Sequence, residues 1–118
     1  MLAPALTDQW LNSPAQADAE IAPLLREGSP RVKQFVIFRL SRNFQYTYGS
    51  KTILVALEDV VTSGDAGLAL LALDLIGTCW RDDARAFLET IAAGTDPRLS
   101  FVAKCWLAED PRRSRPWE

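Results

Sequence analysis

Gly28-Ser-Pro-Arg-Val-Lys-Gln-Phe-Val at 28–36 and Thr95-Asp-Pro-Arg-Leu-Ser-Phe-Val-Ala at 95–103 read as two versions of one segment. Pro30 falls on Pro97, Arg31 on Arg98, Val32 on Leu99, Phe35 on Val102, Val36 on Ala103 and Leu40 on Leu107. Between them Ala66, Leu68, Leu71, Ala72 and Ile76 take the same places. The pattern therefore opens at 30, 66 and 97, a spacing that leaves room for one helix pair per unit. Each pair must bury its apolar face on its neighbours, and the chain holds about three units.

Outward from these segments the helix boundaries are marked. Ser13-Pro14-Ala15-Gln16 offers a capping serine, proline in the first turn and glutamine three residues after the cap. Ser29-Pro30 and Asp96-Pro97 repeat the cap-then-proline signal, and Asp65 is a cap for a further helix. Gly28, Gly64 and Gly94 sit where a left-handed residue would close the helix before. The apolar spacing predicts helices near 4–11, 14–27, 30–43, 51–62, 66–79, 83–93 and 97–108. Pro23 predicts a kink or break in the second of these. The connection 43–50 is the longest, and no alternating run supports a strand. The expected organisation is one domain over 1–110 and a flexible basic tail over 111–118.

With Pro30-Arg31, Asp65 and Asp96-Pro97-Arg98 at the openings, the chain resembles the HEAT-like (PBS-lyase-type) helical repeat families over roughly 14–108. The basic residue here directly follows proline, and Gly67 replaces it in the middle unit. The resemblance implies an all-α fold, a short right-handed array of antiparallel helix pairs (a HEAT-like α-solenoid) of about six or seven helices. The alternative is a compact helical bundle without a repeat.

The composition, 48% apolar and 24% charged, is that of a globular domain and argues against disorder. No apolar run approaches the roughly 20 residues that span a bilayer. The N-terminal stretch lacks a basic segment followed by an apolar one. Cys79 and Cys105 read as two buried thiols, although one bridge between them is possible, and the expected location is cytoplasmic. The sequence contains no histidine, which removes the commonest general base and zinc ligand. The expectation is a protein that is not an enzyme, with no catalytic residue, metal or cofactor.

Charge is segregated along the chain. From Gly28 to Leu57 there is no acidic residue, while Arg31, Lys33, Arg39, Arg42 and Lys51 are basic. From Glu58 to Asp96, eight carboxylates face only Arg81 and Arg85. In HEAT-like stacks the second helix of each pair lines the concave side, which puts Glu58, Asp59, Asp82, Asp83, Arg85 and Glu89 on a partner-binding face. Such a face suits a basic protein partner, most concretely a toxin domain neutralised by a small bacterial immunity protein or antitoxin. The alternative is nucleic-acid binding through Arg31, Arg39 and Arg42, with Tyr46 and Tyr48 as stacking surfaces. Against it stands the expectation that Phe35 and Phe38 belong to the core. Asp74, in an otherwise apolar helix, needs a donor, for which Thr78 or an arginine of a neighbouring helix is expected. Trp106 lies on a core stripe, and Trp80 and Trp117 are freer to anchor an interface.

Overall fold

The computed structural model describes residues 14–42, 50–79 and 81–109, all in helices and their connections, with no strand among them. The expected helix at 4–11, the cap at Ser13, the loop residues 43–49, Trp80 and the tail lie outside the described residues. The helices are α1 Pro14–Glu27, α2 Pro30–Ser41, α3 Lys51–Val61, α4 Ala66–Gly77, α5 Asp82–Ala92 and α6 Pro97–Glu109. None is long and apolar enough to cross a membrane.

The starts follow from side-chain chemistry. The Val32 N–H donates to Ser29 Oγ at 3.3 Å, the Leu68 N–H to Asp65 Oδ1 at 3.0 Å, and the Arg98 N–H to Asp96 Oδ1 at 3.0 Å. Each supplies a donor of the first turn with an acceptor that the helix itself lacks. Ser50 performs a fourth such capping that the sequence did not single out. Its Oγ accepts from the Ile53 N–H at 3.2 Å and donates to Asp18 Oδ2 at 2.8 Å, so it starts α3 and ties that start to α1. The end of α1 meets α3 again through Arg26 Nε and Asp59 Oδ2 at 3.1 Å.

Helix ends depart from expectation in two respects. Of the three closing glycines only Gly64, at φ 97°, is left-handed; Gly28 and Gly94 are not. Their amide N–H groups continue helical bonding to Leu24 and Ile91 carbonyls at 3.0 Å each. The break that Pro23 would impose does not occur, and α1 runs through it. Pro23 and Ala19, whose carbonyl loses its helical donor, both lie on the exposed side, where water can take the donor's place.

The core is centred on α4, which packs against α2, α3, α5 and α6. Leu73 and Ile76 of α4 are fully buried with Ile21 and Leu25 of α1, Leu40 of α2, and Ile53, Leu54 and Leu57 of α3. Besides these, α1 packs on α2 and α3, and α5 on α6. The molecule is flat, with principal extents of 45 × 32 × 18 Å. Four residues expected in the interior lie outside it: Phe35, Phe38 and Leu71 are 48%, 60% and 42% exposed, and Cys105 is exposed. The buried stripe of α2 is Val36, Ile37 and Leu40, so the two phenylalanines flank it. Cys79 is buried, and both thiols are free.

Where α6 crosses the end of α4, Trp106 lies so close over Gly77 that a Cβ there would overlap its indole ring. An alanine at 77 would improve helix propensity by about 1 kcal/mol. The overlap falls on atoms near the tryptophan backbone, which cannot swing aside, and the net effect of Gly77→Ala is expected to be a loss of about 1–3 kcal/mol. Gly67, in the same helix, would place its Cβ 3.6 Å from Asp65 Oδ1 and near nothing else. Gly67→Ala is expected to gain about 0.5–1 kcal/mol. Urea unfolding of the two variants checks the opposite signs.

Candidate functional site

The carboxylates expected to form a binding face come from α3 and α5, which border a shallow groove of about 300 Å³. Lys51, Leu54, Val55 and Glu58 form the α3 side, and Asp83, Ala86 and Phe87 part of the α5 side. The six expected residues do not act as one uniform patch. Arg81 grips Asp83 with two parallel bonds, Nε to Oδ1 at 3.0 Å and the terminal nitrogen to Oδ2 at 3.1 Å. Asp83 also accepts from the Ala84 N–H at 2.9 Å, so it is a local clamp at the start of α5. The Arg81 bond, with its charge and the Ala84 amide, holds the Asp83 carboxyl below the usual aspartate range. Arg85 sits between Asp82 at 3.5 Å and Glu89 at 3.8 Å, and Asp59 pairs with Arg26.

Glu58 is different. Among the described residues no ion pair holds it; burial raises its pKa, and the nearby charges of Asp83 and Asp59 raise it further, with Lys51 acting against them. Glu58, Asp59 and Asp83 are thus brought together, while Asp82 and Glu89 belong to Arg85. Of the groove's two carboxylates Asp83 is held by Arg81, and Glu58, with Lys51 nearby, is the one that no ion pair engages among the described residues.

The alternative basic patch comes together only in part. Arg31 and Arg42 are exposed, and the Arg42 guanidinium stands 5.7 Å from the Phe38 ring centroid, in reach of a cation–π contact. Arg39 is half-buried, and Tyr46 and Tyr48 lie outside the described residues. Exposure of Phe35 and Phe38 removes the objection that the core needs them.

Asp74 is exposed, and its donor is neither Thr78 nor an arginine. Trp106 Nε1 donates to Asp74 Oδ1 at 2.9 Å, and the Thr78 hydroxyl donates to the Leu75 carbonyl at 2.7 Å. The same tryptophan forms part of a second groove, of about 360 Å³, with Ile37 and Phe38 of α2 and Leu71 and Leu75 of α4. This surface was not anticipated. Its signal in the sequence is that α2 carries two more aromatic residues than one buried stripe can take.

Comparison with protein-family models, with curated proteins and with solved structures finds no match. The geometry and charge of these two surfaces therefore carry the functional argument.

A carboxyl whose pKa is raised on folding opposes the folded state when ionised, and the penalty grows as pH rises through its titration. Glu58→Gln is expected to raise the melting temperature at about pH 7 and to lose that advantage on acidification, as Glu58 in the parent takes up its own proton. Asp83→Asn should act with the opposite sign, because the lowered carboxyl stabilises at neutral pH and that contribution disappears as pH falls through its folded pKa. Thermal melts of both variants between about pH 3 and pH 8 test this pair of signs.

Proposed function

We propose that the chain is a non-catalytic protein-binding module, built as a short HEAT-like array, that engages a basic partner through the acidic groove of α3 and α5. Its most concrete form is a small bacterial immunity protein or antitoxin that neutralises a toxin domain in the cytoplasm. The array reading is supported by the packing: α1 lies along α3 with contacts at both ends, and α4 packs on both α2 and α6. A thickness of 18 Å suits two layers of helices about 8–10 Å apart. In this arrangement α1, α3 and α5 form one layer and α2, α4 and α6 the other.

The observation that carries the functional reading is the unbalanced Glu58. Burial, Asp83 and Asp59 all disfavour its charge, and a cation supplied by a partner would offset part of that cost. The paired carboxylates around it form a polar rim, where charge governs association rate and partner choice more than affinity.

The test is co-expression with the product of the neighbouring reading frame, followed by measurement of the complex at several salt concentrations. Asp83 stays unchanged because it holds Arg81 and the start of α5. Joint reversal of Glu58, Asp59 and Glu89 to lysine is expected to weaken binding by about 100-fold or more and to remove most of its salt dependence. A complex that survives the triple reversal with unchanged affinity would rule out this face.

A further inference from the structure

From the groove between α2 and α4, with Trp106 of α6 in its wall, we infer a second docking site, on other helices than the acidic one, that takes an acidic amphipathic helix of a partner protein. The inference does not depend on the function proposed for α3 and α5. Ile37, Phe38, Leu71, Leu75 and Trp106 give the groove hydrocarbon and aromatic walls. Phe38 and Leu71 remain 60% and 42% exposed, so two large apolar side chains stand open to water at its edge.

Length and shape select a helix. One wall runs from Gln34 to Ser41 and the other from Leu71 to Thr78. At about 1.5 Å per residue this is roughly 10 Å, two helical turns. That span receives apolar side chains spaced i, i+3 or i+4, and i+7 on an incoming helix.

Charge selects the sign of its flanks. Arg31, Phe35, Phe38 and Arg42 follow one another at i, i+4, i+7 and i+11, on one exposed face of the α2 segment. The segment from Gly28 to Leu57 contains no carboxylate, and no ion pair engages Arg31 or Arg42 among the described residues. An incoming helix with glutamates on the α2 side of its apolar ridge meets the exposed guanidinium groups of Arg31 and of Arg42, which stands over Phe38, and a lysine-flanked one is repelled there. Asp74, which accepts from Trp106, puts the groove's own negative charge on the α4 side. Nucleic acid fits less well. Phosphates need a continuous basic track, and α4, which forms the second wall, has no lysine or arginine and presents Asp74 to the groove.

The experiment uses a labelled synthetic helix of about 16 residues with leucines at i, i+3 or i+4, and i+7 and glutamate flanks. A lysine-flanked counterpart and a single-stranded oligonucleotide of similar length serve as comparisons. Fluorescence anisotropy is read at low salt against the parent chain, Phe38→Ala and the double variant Arg31→Glu/Arg42→Glu, with circular dichroism checking each fold. The expected result is saturable binding of the glutamate peptide, weaker by about tenfold or more for the lysine peptide. Phe38→Ala should weaken it by a similar factor, and the arginine reversal should invert the preference between peptides. Because Arg31 and Arg42 are exposed, the reversal remains informative even if Phe38→Ala perturbs α2. Failure of the glutamate peptide to saturate by about 1 mM, equal affinity for both peptides, or displacement of the peptide by the oligonucleotide would overturn the inference. So would self-association of the parent that Phe38→Ala abolishes, since that assigns the groove to a second copy of the chain.

Discussion

Much of the arrangement depends on how Trp106 is seated on α4. Asp74 and Gly77 are three residues apart and so share a face of that helix. Gly77 removes the side chain that would hold the indole away, and Asp74 accepts its N–H at 2.9 Å. The contact is therefore specified in both shape and polarity: a larger residue at 77 blocks the ring, and without Asp74 the indole N–H loses its acceptor. Asp74 meets this demand while staying exposed, so its charge is solvated and no desolvation cost opposes the bond. Once α6 is fixed on α4, α5 is held by its packing on α6, and one wall of the aromatic groove is placed.

The other end of the molecule is set by a smaller device of the same kind. Ser50 uses its hydroxyl hydrogen on Asp18 and its lone pair on the Ile53 amide, so one atom both starts α3 and registers it against α1. Arg26 and Asp59 repeat the α1–α3 contact about two turns later, but both are largely exposed, and such a pair contributes about 0–1 kcal/mol. The register is thus carried by the buried serine, with the ion pair secondary. Polar groups shared between two helices act here where apolar contact alone would allow sliding.

The helices were legible because their starts are written in local chemistry. A serine or aspartate that caps, followed by proline after Ser29 and Asp96, needs no tertiary information, and Ser29, Asp65 and Asp96 cap as the sequence implies. What failed depended on context. Whether a glycine turns left-handed depends on where the chain goes next, and Gly28 and Gly94 continue the helical bonding instead. On α2 the expected core residues Val36 and Leu40 are buried, but Ile37 takes the place expected for Phe35, because both satisfy helical spacing beside them. The donor to Asp74 comes from a residue 32 positions away, beyond the reach of any local pattern. In the charged face, residue types and helices were anticipated, but the pairing that separates Glu58 from its neighbours needed geometry: Arg81 and Arg85 each lie within one turn of their carboxylates and neutralise them locally.

That local neutralisation changes what the segregation of charge along the chain means. In the proposed array the basic α2 and the acidic α3 and α5 fall in different layers, so an asymmetry of sequence becomes an asymmetry between faces. The thin dimension of the molecule is 18 Å, measured between backbone positions, and side chains extend it further. At physiological ionic strength the Debye length is about 8 Å. If the two layers stack along this dimension, their outer surfaces would be about two screening lengths apart, and each would present its own sign to solvent with limited cancellation by the other. Formal net charge, only −2, describes neither face. In that arrangement a basic ligand at Glu58 and an acidic one beside Arg31 and Arg42 would interact only weakly through electrostatics. Any coupling between them would have to pass mechanically through the helix contacts that join the layers, α1 on α2, α3 and α5 on α4, and α5 on α6.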